Sequence, residues 1–566
     1  MSEFGIKIKN YEAASIYEYQ HGFRGRLDST DAMLTNSLFY DFLVENGLNI
    51  YKEESTRDVI CLAFSYKTKG YADMINTLTG LKGEDEQYNG YIESLISNVN
   101  ANIDDCIEIK KDRLRELAYT DGVDITYRSY NEKTGIYTDT ETIHYKMLYR
   151  TPGKAKKGTC MFIRDELYDK AHEFLTMGIN LPDKKAPIIQ MGAYSSLITS
   201  TIIEKVQIKP EQILVVEDVK SFFKTKVVTI KTDDQKQCYT EYYDGYELYN
   251  TVFDGQALID YSIFPEWADG YILLRHHMTK CAAFNTNIEL FMREHFGNEY
   301  DTAVIKDMWG RDVKVSDIKF ITTDNALKWL NFNISFEYWA DWVRKNDSMW
   351  GIVKTTHESK LGDVQRMSYQ MINSLDLETM PEVVNTSVSY INKLKQDDQE
   401  FLEYLKKNTN FSNDYDVLIA LAEHNPDFIY SNYYRQRKKK IIESYVLNFK
   451  SGRCIQNADN LTIVGSPYAL LLHSVGVSID NDPTFRYEEG TIQCWTERFE
   501  DGEYLAAFRS PFNSRNNMGY LHNTYHPYFD KYFKLGKLCI AINLIGTDFQ
   551  DRENGLIKWV SVQECA

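Results

Sequence analysis

The stretch TVFDGQALID, Thr251–Asp260, joins a tight turn to a strand of the kind that builds a β-rich domain. Asp254-Gly255 is typical of a tight turn, because glycine tolerates backbone angles that other residues avoid. The apolar residues after the turn indicate a strand. Taken alone, this pattern predicts an ordinary turn between strands, so a functional interpretation needs the flanking sequence.

Short strands surround this turn on both sides. EQILVVEDV (Glu211–Val219) and KVVTIKT (Lys226–Thr232) are rich in β-branched residues. Downstream, GYILLRHHMTKCAAFNTN predicts a strand that carries Lys280 in an apolar setting, and Lys328 follows in ITTDNALKW. A lone lysine in such a stretch usually extends its ammonium group to the surface.

Composition describes an acidic, multidomain globular protein. The chain has 566 residues, 43% hydrophobic and 26% charged, with a net charge of −18. That charge lowers the expectation of nonspecific nucleic-acid binding, although it does not exclude binding in a basic channel. Nine scattered cysteines without a CxxC pair indicate reduced thiols. No run of about 18 apolar residues is present, so we expect no membrane span and a cytoplasmic location.

The pattern of apolar residues predicts an α+β protein in which a helical block separates two β-rich blocks. STDAMLTNSLFYDFLVENG (Ser29–Gly47) predicts a helix with Leu34, Leu38 and Phe42 on one face. We expect five segments: a mixed region at 1–140, a basic-loop region at 141–250, a first β-rich domain at 251–380, a helical connector at 381–450 and a second β-rich domain at 451–566.

Nucleophile motifs are missing from the sequence. It contains no GxSxG, no HExxH and no GxxxxGK[ST]. The adjacent pair His276-His277 is expected to be one buried and one exposed residue of a strand. A metal site would need more ligands than these two.

The second β-rich block combines an arginine with a nearby acidic loop. Arg509 follows the apolar run EYLAAF and precedes Ser510-Pro511, so the proline would hold the strand end extended. An arginine fixed there suits a ribose or a phosphate, although a surface ion pair is the commoner role. About forty residues later, GTDFQDRENG supplies Asp548 and Asp551. Closely spaced carboxylates suit Mg²⁺.

Basic clusters run against the acidic total. The candidate cations for binding a nucleic-acid backbone are Arg150, Lys154, Lys156 and Lys157 in RTPGKAKKG, and Arg437 and Lys438 in RQRKKK. Cations that grip phosphates and carboxylates that hold Mg²⁺ are the two ingredients of nucleotidyl transfer.

In this order, the segments resemble the two-double-psi-β-barrel RNA polymerases of the single-chain type. That group comprises the RNA-dependent RNA polymerases of RNA silencing and their phage and mobile-element relatives. The resemblance covers roughly residues 140–555, in short motifs whose shared order gives them weight. The matching stretches are RTPGKAKKGTCMFI, APIIQMGAYSSLITST, TVFDGQALID, LRHHMTKCAAF, TTDNALKW, VQRMSYQMINSL, KSGRCIQNADNLTIVGSP and FRSP.

The resemblance implies magnesium-dependent, template-directed RNA synthesis from nucleoside triphosphates on a single-stranded or duplex template. Lys280 and Lys328 would contact phosphates or the growing RNA end, and Arg509 would sense the ribose 2′-hydroxyl. Asp548 and Asp551 would be the metal ligands.

One departure from the family pattern is central. The family's second barrel carries a DxDGD-type loop with three aspartates, whereas GTDFQDRENG offers only Asp548 and Asp551 in a different spacing. Either this is a diverged metal loop, or the aspartates would lie beyond Gly555 and the chain is truncated, with an incomplete second barrel. We favour truncation as the expectation, and a C-terminal partner fragment would then complete the barrel.

Two other hypotheses stay open. The chain could be a noncatalytic nucleic-acid-binding or scaffold protein of a phage or mobile element, which keeps the basic clusters without the metal. It could also be an acidic multidomain protein whose β-rich blocks serve an unrelated function.

Overall fold

The computed structural model describes residues 5–51, 54–131, 136–150, 159–180, 188–359, 361, 365–366, 376–409, 413–456, 458–486, 488, 490–508 and 518–543. The chain forms two compact units that are discontinuous in sequence. Unit 1 comprises Met1–Pro210, Leu274–Lys280 and Leu327–Lys354, and unit 2 comprises Glu211–Leu273, Cys281–Ala326 and Thr355–Ala566.

The strands are numbered in chain order. They are β1 (Gly5–Glu12), β2 (Thr30–Thr35), β3 (Ser55–Ala63), β4 (Val123–Asn131), β5 (Ile136–Tyr149), β6 (Thr159–Arg164), β7 (Glu204–Val206), β8 (Ile213–Val216), β9 (Lys220–Thr232), β10 (Cys238–Thr251), β11 (Gln256–Asp260), β12 (Tyr271–His276), β13 (Thr279–Thr286), β14 (Val304–Lys306), β15 (Asp312–Lys314), β16 (Phe320–Thr323), β17 (Trp350–Thr355), β18 (Gln365–Arg366), β19 (Ile455–Gln456), β20 (Thr462–Gly465), β21 (Ile492–Trp495), β22 (Tyr504–Phe508), β23 (Met518–Asn523) and β24 (Cys539–Ile542).

The α-helices are numbered in the same way. They are α1 (Ala13–Gln20), α2 (Leu38–Glu45), α3 (Tyr71–Gly80), α4 (Glu86–Ala101), α5 (Lys111–Asp121), α6 (Asp165–Thr176), α7 (Ile188–Ser195), α8 (Ile288–Phe296), α9 (Phe336–Lys345), α10 (Met380–Gln396), α11 (Asp398–Asn408), α12 (Tyr415–His424), α13 (Asn432–Lys450), α14 (Pro467–Ser474) and α15 (Pro527–Tyr532).

Unit 1 is built on a six-stranded sheet in the order β2-β1-β3-β6-β5-β4. Its strands β1 and β3 are parallel, and the other neighbouring pairs are antiparallel. Ile60, Leu62 and Phe162 on this sheet are fully buried in a core that also takes residues from α1 and α5. The sheet therefore buries one continuous apolar layer under helices, which is the usual way to stabilise a mixed domain.

Unit 2 contains the same four-strand connectivity twice. Module A consists of β8, β11, β13 and β16, and module B consists of β20, β21, β23 and β24. In each module the first strand pairs in parallel with the fourth. The fourth strand pairs antiparallel with the second, and the second pairs in parallel with the third. Unit 2 is therefore organised around two modules of one topology.

The helices of the two modules are also related. In module A, α8 follows the third strand, and in module B, α15 does so. These two helices pack on each other through the rings of Phe291 and Tyr532 and an ion pair of 2.7 Å between Lys531 and Glu294. The related helices therefore form part of the contact between the modules.

The long strands β9 and β10 connect the first and second strands of module A. Among the strands of the described ranges, they pair only with each other, in a two-stranded ribbon. Ile230 and Tyr242 on this ribbon are 75% and 77% exposed. Four helices, α10 to α13, form a separate apolar core with Phe401, Leu405 and Tyr434 fully buried.

The structure confirms the mixed α+β class with several sheets and a helical block near residues 381–450. Strands at Ile213–Val216 and Lys220–Thr232 also agree with the sequence. The division into five segments stays a prediction. Within the described ranges, no helix has the length and apolarity needed to cross a membrane. The eight described cysteines are all free thiols.

The helix predicted over Ser29–Gly47 is wrong in its first half. Thr30–Thr35 forms strand β2, which pairs antiparallel with β1 from Gly5 to Asn10. The helix begins only at Leu38, because the Ser37 side chain accepts the Tyr40 N–H and caps it. Cross-strand pairing with β1 therefore overrides the helical spacing of Leu34 with Leu38.

Candidate functional site

The two lysines predicted to contact phosphates lie on adjacent backbone segments of unit 1. Thr279 and Leu327 form an isolated antiparallel bridge, and the Lys328 N–H donates to the Met278 carbonyl oxygen at 2.8 Å. Lys280 and Lys328 each neighbour this bridge in sequence, and both side chains are half-buried. The structure therefore brings together two predicted site residues that are 48 positions apart in the chain.

A buried aromatic layer lies beside this bridge in unit 1. His276 stacks on Trp350 with ring centroids 4.6 Å apart, and His277 meets the edge of Phe174 at 4.7 Å. Trp329 and Trp339 are also buried and stack at 6.0 Å. The backbone next to the lysines is thus fixed by a rigid, largely apolar packing layer.

Both histidines are buried, at 0% and 1% exposure, so the expected alternation of one buried and one exposed residue is wrong. Strand β12 ends at His276, and the turn that follows has Met278 at a φ of 46°. Because His277 lies outside the strand, its side chain does not have to point away from that of His276, and both can be buried. Burial lowers the pKa of His276 to about 3, partly opposed by the Ser348 backbone. Burial, and then the neighbouring His276, also lower the pKa of His277.

A buried carboxyl group anchors the turn of the opening stretch in unit 2. Asp218 lies two residues beyond β8 and accepts the Phe253 N–H at 2.9 Å, directly before Asp254-Gly255. Its other oxygen accepts from the Asn325 amide at 2.6 Å. The Asp218 N–H donates to the Asp324 carboxylate at 2.9 Å. Gly255 has a φ of 70°, as the turn requires.

The environment of Asp218 disfavours its ionised form. Burial raises the pKa of Asp218 to about 7, and the carboxylates of Asp324 and Asp254 add to the rise. The hydrogen bonds from Phe253 and Asn325 oppose it. A carboxyl group that titrates near neutrality is a common mark of a functional site, although this one also holds together the ends of two strands and a turn.

A reciprocal pair of hydrogen bonds links β11 of module A to β20 of module B. The Gln256 amide group donates to the Gly465 carbonyl at 2.9 Å and accepts the Gly465 N–H at 2.8 Å. Gln256 is buried on β11, and Gly465 ends β20. His473 on α14 adds a hydrogen bond of 2.8 Å to the Glu217 carbonyl. These contacts set the register of module B against the turn region of module A.

The predicted nucleic-acid contacts that the structure describes are partly engaged inside the protein. Arg150 is half-buried and interacts with the Tyr119 phenol, whose pKa burial raises to about 12. In the helical block, Arg437 pairs with Asp414, and Lys438 pairs with Asp398 at 2.8 Å. The Lys438 ammonium also lies over the Phe401 ring. These ion pairs contribute to the bundle, and a role in binding nucleic acid stays a prediction.

The remaining predicted site residues lie outside the described residues. They are Lys154, Lys156, Lys157, Arg509, Asp548 and Asp551. Among the side chains that are described, no group of three His, Cys, Asp or Glu residues is arranged to hold a metal ion. The magnesium prediction therefore rests on Asp548 and Asp551, whose carboxylate oxygens are the donor type that Mg²⁺ prefers.

Sequence reasoning did not single out Asp218 or Gln256. Asp218 follows the buried run ILVV, and an acidic residue just after a buried strand is a usable signal of a site or a structural anchor. Gln256 has no such signal, because its partner Gly465 is 209 residues away.

A comparison of the sequence with models of known protein families gives no match. A comparison with curated proteins likewise gives no match. The functional interpretation therefore depends on the residues and the topology alone.

Proposed function

We propose that this chain is a template-directed RNA polymerase, and that modules A and B are its two double-psi β-barrels. The observation that carries the proposal is the shared connectivity of the two modules: first strand with fourth, fourth with second, second with third. Two related barrels are what the resemblance implies, and repeated topology within one unit supports it. The partners would be a nucleic-acid template and nucleoside triphosphates, in the cytoplasm.

The paired lysines support the same reaction. In nucleotidyl transfer, the 3′-hydroxyl oxygen of the growing RNA bonds to the α-phosphorus while the bond to pyrophosphate breaks. Lys280 and Lys328, fixed by the Thr279–Leu327 bridge, would neutralise charge on the phosphate oxygens. Bound Mg²⁺ would supply charge neutralisation and a more acidic hydroxyl. Asp548 and Asp551 would hold the ion, and Arg509 would recognise the ribose.

The test is incorporation of labelled nucleotides by the full chain on single-stranded RNA and DNA templates, with and without Mg²⁺. We expect magnesium-dependent products whose sequence follows the template. Lys280→Ala and Lys328→Ala should each lower the rate about tenfold or more, because an oriented cation is worth several kcal/mol at a developing charge. Lys345→Ala is the matched control, because that lysine is 71% exposed, makes a long ion pair of 3.9 Å with Glu173 and otherwise lies over the Trp342 ring at the surface.

The competing hypothesis gives a different result. Salt-sensitive binding of single-stranded nucleic acid without incorporation on either template would favour a noncatalytic binding protein. If both lysine variants incorporated nucleotides at the unaltered rate, the chain would be a polymerase but Lys280 and Lys328 would not be part of its active site.

A further inference from the structure

The N-terminal sheet of unit 1 contains a cavity of about 410 Å³ that the proposed function does not use. It lies where the parallel strands β1 and β3 end. Glu12, the last residue of β1, pairs with Ala63, the last residue of β3. The cavity is lined by this end of β1, by α1, by the segment that leads from α1 into β2, and by the loop after β3. The carboxyl ends of parallel strands are a frequent place for a ligand, and the volume is that of a small-molecule site.

Most charges that line the cavity are balanced by neighbours. Arg24 donates to Asp28 at 2.8 Å and lies 3.5 Å from the buried carboxylate of Glu18. Lys67 pairs at 2.5 Å with Glu108, which is not part of the lining. These groups give the cavity a fixed, polar wall and leave few charges for a ligand.

Three lining groups lack such a counterpart. Within the described part of the chain, the Lys69 ammonium has no hydrogen-bond or ion-pair partner. The Glu12 carboxylate accepts only the Ser65 N–H, at 3.1 Å, and pairs with no cation there. The Asn10 side-chain oxygen is buried without a hydrogen-bond partner in that same set of residues, which is costly unless a ligand or water donates to it.

The arrangement of these groups indicates the ligand's chemistry. Asn10 and Glu12 belong to β1 and provide acceptors, and Lys69 belongs to the loop after β3 and provides a cation. A ligand that fits must therefore carry an ammonium group for the acceptors and an anionic group for the lysine. A phosphate ester is a poorer match, because it carries no ammonium group for Asn10 and Glu12, and the Glu12 carboxylate would repel its two negative charges.

We propose that this cavity is a binding site for a free α-amino acid. Its ammonium group would donate to the Asn10 oxygen and the Glu12 carboxylate, and its carboxylate would pair with Lys69. Tyr66 lines the cavity and is 67% exposed, so its ring is available to the ligand's side chain.

The experiment is calorimetric titration of the full chain with each of the twenty common α-amino acids in turn. We expect at least one to bind. Its methyl ester and its analogue without the amino group should each bind about tenfold more weakly or not at all. The proposal would be overturned if none of the twenty amino acids bound. It would also be overturned if the ester and the des-amino analogue bound as tightly as the amino acid itself. Preference for a nucleoside monophosphate would overturn it as well.

Two variants locate the site. Glu12→Gln keeps an acceptor for the Ser65 N–H while removing the charge, and Lys69→Met keeps the aliphatic stem. Each should weaken binding about tenfold, while Lys67→Met should bind like the unaltered chain, because Lys67 is paired with Glu108. Thermal unfolding of each ligand-free variant verifies that it folds. Binding that survives both site variants would place the amino acid elsewhere and refute this site.

Discussion

At the scale of single residues, the clearest consequence of the structure concerns Asp218. Its carboxyl group is 5% exposed and has a pKa raised to about 7, chiefly by burial. Between the ordinary pKa of an aspartate and pH 7, the folded chain holds a proton that the unfolded chain releases. The free energy of unfolding therefore falls as the pH rises through this window, by roughly 3 kcal/mol from this group.

Asp218→Asn removes that titration. In this variant, the decrease in the free energy of unfolding that Asp218 causes between pH 4 and pH 7 should be absent, because the amide stays neutral at every pH. Urea unfolding at several pH values measures it, with Asp234→Asn, an exposed aspartate in the hairpin turn of the ribbon, as control. An unchanged slope in Asp218→Asn would show that the carboxyl group is already ionised when folded.

His276 gives the opposite dependence. Its pKa is lowered to about 3 by burial, so protonation favours the unfolded chain as soon as the pH falls below about 6.5. At pH 4 this group should cost roughly 3 kcal/mol of stability relative to pH 7. His276→Phe, which keeps a ring against Trp350, should flatten the acid limb when unfolding is followed by tryptophan emission. His424→Gln on the exposed side of α12 should not.

At the scale of elements, the approach of the turn before β12 to the segment before β24 depends on a glycine. Gly270 has a φ of +69°, and a Cβ there would overlap the Leu535 carbonyl oxygen and crowd the Cys539 sulfur. Gly270→Ala should therefore destabilise the chain by about 3 kcal/mol or more. Gly476→Ala is the control, because Gly476 has a φ of +75° but open space around it.

Comparing Gly270→Ala with Gly476→Ala in one thermal-unfolding experiment separates the cost of backbone strain from the cost of steric overlap. Both variants carry the penalty of a left-handed backbone, and only Gly270→Ala adds the overlap with a neighbouring backbone. Equal losses in the two variants would contradict the close packing of Leu535 on Gly270.

Element type was easier to predict than pairing. The β-branched run at Lys226–Thr232 correctly predicts a strand, but nothing local indicates that its partner is β10, in a two-stranded ribbon. The apolar spacing over Thr30–Thr35 predicts a helix, but in the structure these residues form a strand because they pair with β1. Pairing depends on partners far along the chain, which a local pattern does not contain.

The same limit applies to the candidate site. The ordered motifs predicted Lys280 and Lys328 as two separate site residues, and the Thr279–Leu327 bridge brings their backbones together, which the motifs did not predict. Gln256 could not be found in this way, because its role arises only from packing against Gly465. The sequence likewise did not predict the proposed amino-acid site at the ends of β1 and β3. The groups there without a partner, Asn10, Glu12 and Lys69, can be recognised only when the partners of the neighbouring charges are known.

At the scale of the whole molecule, the two pH effects belong to different units. His276 and His277 lie in unit 1, and Asp218 lies in unit 2. A chain with two compact units need not unfold in a single two-state transition. Acidification from pH 7 to pH 5 should therefore destabilise unit 1 by about 2 kcal/mol through His276, with His277 acting in the same direction, and stabilise unit 2 by a similar amount through Asp218.

Scanning calorimetry at pH 7 and pH 5 tests this opposition, with tryptophan emission assigning the transition of unit 1 through its buried cluster of Trp329, Trp339 and Trp350. We expect two transitions: as the pH falls, the melting temperature of unit 1 decreases and that of unit 2 increases. His276→Phe should reduce only the downward shift, and Asp218→Asn should abolish only the upward one. A single transition, or two that shift together and ignore both variants, would mean that the units unfold as one body and that these buried groups do not set its response to pH.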